Sequence, residues 1–95
     1  MGYPAFGYRT TRKPNIVCSG VPACVVAVFN PVGDFKPVSF GVELDGLRYR
    51  YNINRIVVFK ESHGNFTFDC EYVDLGRIIP VRLVFNVSQC RWVIG

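Results

Sequence analysis

The chain has 95 residues, 49% of them hydrophobic, 15% aromatic and 19% charged, which suits one globular domain and excludes disorder throughout. Its longest unbroken apolar run, Ala23 to Phe29, is seven residues, against the ~20 that a spanning helix needs, so no membrane partner is expected. The formal charge is +4, but residues 1–22 hold Arg9, Arg12 and Lys13 with no acid, leaving eight bases against seven acids in the remainder; such a balance argues against a nucleic-acid domain that is basic over its whole surface.

Val, Ile and Thr together number 24, whereas Ala, Leu and Met number eight, a ratio that favours strands over helices. Residues 1–22 mix Gly2, Pro4, Gly7, Pro14, Gly20 and Pro22 with basic and aromatic residues. That mixture breaks every periodicity and reads as a flexible N-terminal arm. The domain is expected over residues 23–95, beginning with a strand at Ala23 to Phe29. The dipeptide Asp45-Gly46 suits a type I′ turn. It sets Leu44 opposite Leu47, Val42 opposite Tyr49 and Phe40 opposite Tyr51 on one face, with Glu43 facing Arg48 on the other. Asn52-Ile53-Asn54 interrupts the alternation, as a bend or bulge in one long strand would.

The hairpin around Glu61 to Asn65 is read with a five-residue loop, which places Ile56 and Val58 opposite Cys70 and Phe68 and Arg55 opposite Glu71; a four-residue loop would instead bring Val57 and Phe59 inward, and the first is preferred because it matches the charges. A turn at Asp74-Leu75-Gly76-Arg77 sets Tyr72 against Ile79, Cys70 against Val81, Phe68 against Leu83 and Asp69 against Arg82. A four-residue turn at Asn86 to Gln89 then sets Phe85 against Cys90, Leu83 against Trp92 and Val81 against Ile94. The sum is an all-β domain, a small antiparallel meander of about six strands closing as an SH3-like barrel, with a two-layer β-sandwich as the structural competitor.

Gly33-Asp34-Phe35-Lys36-Pro37-Val38-Ser39-Phe40, Asp45-Gly46 with Tyr49 and Tyr51, Arg55-Ile56, the Phe68 to Tyr72 strand and the closing Arg91-Trp92-Val93 resemble a group of small bacterial β-domain proteins with no assigned activity. The resemblance spans roughly residues 25–94. It implies a β fold and carries no residue role.

Chemistry is sparse. Cys18, Cys24, Cys70 and Cys90 contain no C-x-x-C pair, and with one histidine they offer no zinc knuckle. Pro14, Gly20 and Pro22 interrupt any secretory pattern, so a cytoplasmic location with free thiols is expected. Of the carboxylates, Glu43, Asp69 and Glu71 have arginines opposite them, and Asp34, Asp45, Glu61 and Asp74 fall in turns or loops. No pair is placed for acid and base work. His63 sits in Ser62-His63-Gly64-Asn65, which is turn chemistry, and no phosphate-cradling glycine loop occurs. Neither a catalytic residue, a metal nor a cofactor is expected, and the chain is not read as an enzyme.

Two interaction readings remain. Alternation turns Val73, Ile78, Val84 and Val93 outward, so these valines and isoleucine, with the unanswered Arg50, are candidates for binding a protein partner or a second copy. The alternative is nucleic acid held by Arg9, Arg12 and Lys13 of the arm together with Arg48 and Arg50. In Arg48-Tyr49-Arg50-Tyr51 the bases and the rings fall on opposite faces, which weakens this second reading.

Overall fold

A computed structural model of the chain describes residues 19–95. They form seven strands: β1 (Pro22–Phe29), β2 (Phe35–Leu44), β3 (Leu47–Asn52), β4 (Arg55–Ser62), β5 (Asn65–Asp74), β6 (Arg77–Asn86) and β7 (Arg91–Ile94). All ladders are antiparallel, and the spatial order is β3-β2-β1-β7-β6-β5-β4 in one sheet that is not closed. This corrects the meander order. The first and last strands pair at the centre of the sheet, Pro22 with Val93 and Ala23 with Trp92. The two edge strands, β3 and β4, are consecutive in the chain.

Only Ile53 and Asn54 join those edges, so the sheet has to fold over for two residues to span it. The Ile53 amide donates to the Val38 carbonyl of β2 at 2.8 Å, and the Asn54 amide to the Glu71 carbonyl of β5 at 2.7 Å. The expected bend is therefore a corner where one strand leaves one half of the sheet and enters the other. Counted as two elements, it raises six strands to seven.

Two-residue turns set the registers. Asp45-Gly46, His63-Gly64 and Leu75-Gly76 each have positive φ at both positions, the type I′ geometry whose twist matches paired strands. The first ladder follows expectation from Leu44↔Leu47 to Ser39↔Asn52, and the β5–β6 ladder does so over its whole length, from Asn65↔Asn86 to Asp74↔Arg77. On β2, Val26 pairs with Ser39 and Ala27 with Pro37, leaving Val38 as a bulge beside a proline that has no amide to give the ladder.

Two expected registers are corrected. In the β4–β5 hairpin, Phe59 and not Val58 lies opposite Phe68, and Val58 lies opposite Asp69. A bulge at Val57 then restores the expected Ile56↔Cys70 and Arg55↔Glu71 pairs. The tight His63-Gly64 turn dictates one phase and the corner at Asn54 the other, and the bulge absorbs the one-residue difference. In the β6–β7 hairpin, Phe85 pairs with Trp92 and Leu83 with Ile94, two residues from the expected register. Asn86 is the cause. Its side-chain oxygen accepts from the Gln89 amide and from the Ser88 hydroxyl, both at 2.9 Å, extending β6 to Asn86 and placing Cys90 inside the turn with φ 52°. A slip of two keeps every side chain on its face, so the inner set survives and only Cys90 changes environment.

The core is Phe40 and Val42 from β2, Phe68, Cys70 and Tyr72 from β5, Val81 and Leu83 from β6, and Ile94 from β7. Rings bridge the fold: Tyr72 lies 5.3 Å from Phe40 and 4.3 Å from Tyr51, and Phe35 lies 5.1 Å from Phe66 and 5.7 Å from Phe85. Among the described residues there is no helix long and apolar enough to cross a membrane.

Candidate interaction surfaces

The outward aliphatics read from sequence form two places and not one. Val73 and Ile78 pair across β5 and β6 and are 47% and 63% exposed. Val84 and Val93 pair across β6 and β7 and are half-buried. Part of their cover is Gly95, whose amide donates to the Arg82 carbonyl at 2.8 Å and whose position leaves a Cβ only 2.8 Å from Val84 Cγ2. Six residues of extended strand, about 20 Å, separate Ile78 from Val84. Between them the Arg82 side chain clasps Asp69 through Nε to Oδ1 at 2.6 Å and Nη2 to Oδ2 at 3.2 Å.

That ion pair has a measurable signature. The Arg82 hydrogen bond holds the Asp69 carboxyl below its ordinary range, so the pair stabilises the fold above the unfolded carboxyl pKa of ~4 and loses this contribution as pH falls through the lower folded value. With Arg82 about half exposed, water screens the pair and its contribution is small. Asp69→Asn should melt slightly below the parent at pH 7, and the difference should close on acidification below about pH 4, read by thermal melts across pH.

The most exposed apolar strand is β4. Val57, Val58 and Phe59 are 49%, 39% and 52% exposed, and only Ile56 of this strand is half-buried. The strand borders β5 on one side and no described strand on the other. Because Ser62↔Asn65 closes a two-residue turn, it is a hydrogen-bonded pair, and alternation then turns the backbone groups of Glu61 and Phe59 away from β5. Beside this edge lies a row of rings. Phe59 stacks on Phe66 at 5.9 Å, Phe66 meets Phe35 edge-on at 5.1 Å, and Phe35 stacks on Phe29 at 5.2 Å. The row begins and ends on exposed rings, Phe29 being 69% exposed. The expected patch omitted it, although a five-residue loop already turns Val57 and Phe59 outward; the run of four apolar residues from Ile56 to Phe59 was the available signal.

On the other edge, Arg48 and Arg50 project from β3 on the exterior, while Tyr49 and Tyr51 turn to the half-buried side. The tyrosines thus offer no stacking platform beside the arginines. Glu43 stands opposite Arg48, as expected, yet no ion pair forms between them. Arg50 donates through Nη2 to the Ser39 hydroxyl at 3.3 Å and leans over Gly41, where a Cβ would come within 3.0 Å of its Nη1. A groove of about 910 Å³ runs here between Pro22 and Cys24 on one side and Arg48 and Arg50 on the other. Arg9, Arg12 and Lys13 lie outside the described residues.

Nucleophiles and titratable groups are dispersed. Ser62 Oγ and His63 Nδ1 are 2.9 Å apart on the exposed β4–β5 turn. No three His, Cys, Asp or Glu side chains gather as a metal-binding group among the described residues. Cys24, Cys70 and Cys90 are free, and Cys18 lies outside the described residues. Burial pushes the Cys70 thiol up to about 12, whereas Cys24 and Cys90 are exposed. A thiol reagent at pH 7.5 should therefore label Cys24 and Cys90 in the native protein and Cys70 only after denaturation, as peptide mass mapping would show. No protein-family model matches the chain, and neither do any curated proteins or solved structures.

Proposed function

We propose that the chain is a non-catalytic protein-interaction module that receives an extended segment of a partner along the free edge of β4. The observation that carries this reading is the exposure of Val57, Val58 and Phe59 on an eight-residue strand that has no described strand on one side. Natural edge strands are usually short, covered or protected by charge. A partner strand would take main-chain hydrogen bonds from Phe59 and Glu61 and lay alternate side chains over the Phe59–Phe66 rings. The corner at Ile53-Asn54, which brings both sheet edges together, supports reading the fold as an opened SH3-like barrel whose seam is the docking place.

The test is affinity capture by the tagged full chain at low and high salt, with and without nuclease, beside the variants Val58→Lys and Ile78→Lys. Apolar strand addition predicts a partner retained at high salt, lost with Val58→Lys and kept with Ile78→Lys, while both variants melt within a few degrees of the parent. Loss with Ile78→Lys alone would move the interface to the Val73–Ile78 pair. Capture that disappears with nuclease or high salt would instead favour nucleic acid and would overturn the proposal.

A further inference from the structure

We infer that the opposite edge of the sheet, β3, is a second docking site, one that takes an extended acidic segment of a partner protein. The inference stands on the β3 edge alone and does not depend on β4. Leu44↔Leu47 closes the two-residue Asp45-Gly46 turn, so Leu44 and Leu47 exchange hydrogen bonds and the backbone groups of Tyr49 and Tyr51 face β2. Those of Arg48 and Arg50 face outward, where no described strand lies. Both residues that offer free backbone groups therefore also carry a guanidinium on the exterior face. A strand added here would place its own residues directly opposite Arg48 and Arg50 as hydrogen-bonded pairs, on the same face and within reach of the long guanidinium side chains, so opposite charges attract and like charges repel.

Charge complementarity selects the occupant. Neither arginine has an ion-pair partner among the described residues: Glu43 faces Arg48 from β2 without closing on it, and Arg50 lies opposite Gly41, which has no side chain. A second copy pairing through the same edge would set arginine against arginine. The chain's own residues 1–22 carry Arg9, Arg12 and Lys13 and no acid, so they hold no charge opposite to that of the two arginines. A segment alternating Glu or Asp with β-branched residues meets both requirements, since its acids would fall beside Arg48 and Arg50 and its apolar residues on the side of Tyr49.

The experiment titrates the ¹⁵N-labelled full chain with a synthetic peptide alternating Glu with Val and Thr, and with its twin in which Lys replaces every Glu. The expected result is binding of the Glu peptide alone, with slowed amide exchange at Arg48 and Arg50. The double variant Arg48→Glu/Arg50→Glu should weaken this binding about tenfold and gain affinity for the Lys peptide, because two favourable cross-strand pairs become repulsive and the reverse. Both substitutions are at exposed positions, so an unchanged thermal transition confirms that folding is intact. No binding of the Glu peptide, equal binding of both peptides, or an undiminished affinity in the double variant would overturn the inference. Protection confined to Phe59 and Glu61 would overturn it too, while leaving the β4 reading standing.

Discussion

Phe40→Ala should lower the melting temperature by roughly 20 °C, the largest effect expected of any single substitution in this chain. Phe40 is fully buried on β2, and its ring lies 5.6 Å from Tyr51 and 5.3 Å from Tyr72. It thus fastens the β1–β3 half of the sheet to the β4–β7 half. Truncation removes a buried aromatic, opens a cavity and breaks both ring contacts, a loss of about 3–5 kcal/mol. A domain of this length has only ~5–14 kcal/mol to lose. Thermal melts followed by circular dichroism would measure the change. A cost under about 1 kcal/mol would mean that the two halves do not share one core.

Tyr72→Phe should act in the opposite direction and raise the melting temperature by about 5 °C. Tyr72 is fully buried, and its hydroxyl has no hydrogen-bond partner among the described residues. Burial pushes its phenol well above the ordinary tyrosine range, and the Asp74 carboxylate adds to the shift. The group is neutral at every ordinary pH, so the effect of removing it should not vary between pH 5 and 9. An unsatisfied buried hydroxyl costs about 1–3 kcal/mol of desolvation, and deleting it while keeping the ring recovers about 1 kcal/mol of that. Since the ring contacts to Phe40 and Tyr51 remain, the cavity term is small. A destabilised Tyr72→Phe variant would show that the hydroxyl is satisfied in solution.

These two residues also show where reading the chain succeeds. Phe40 opposite Tyr51 and Tyr72 opposite Ile79 are both determined by local chemistry: a turn dipeptide that admits positive φ, and strict alternation on either side of it. The ion pairs Arg55–Glu71 and Asp69–Arg82 come from the same arithmetic. Where the arithmetic failed, a side chain or a distant constraint had entered. Asn86 folded the last turn differently by capping it with its own amide oxygen, and the phase conflict along β4 was resolved by a bulge that no local pattern marks.

Local sequence is enough to set the all-β class, the Asp45-Gly46 and Leu75-Gly76 turns, the inner face of β2, β5 and β6, and the bend at Ile53-Asn54. Each depends on residues close in the chain, or on the twofold period of a strand, which survives even a two-residue slip. Long-range packing sets that β1 pairs with β7, that β3 and β4 each have no described strand on their outer side, and that Gly95 folds over Val84 while Val57 to Phe59 stay exposed. Whether an outward residue is covered depends on which remote strand or terminus arrives beside it. Alternation fixes a side chain's face, but the neighbour on that face is set by loop closure and the packing of the whole sheet.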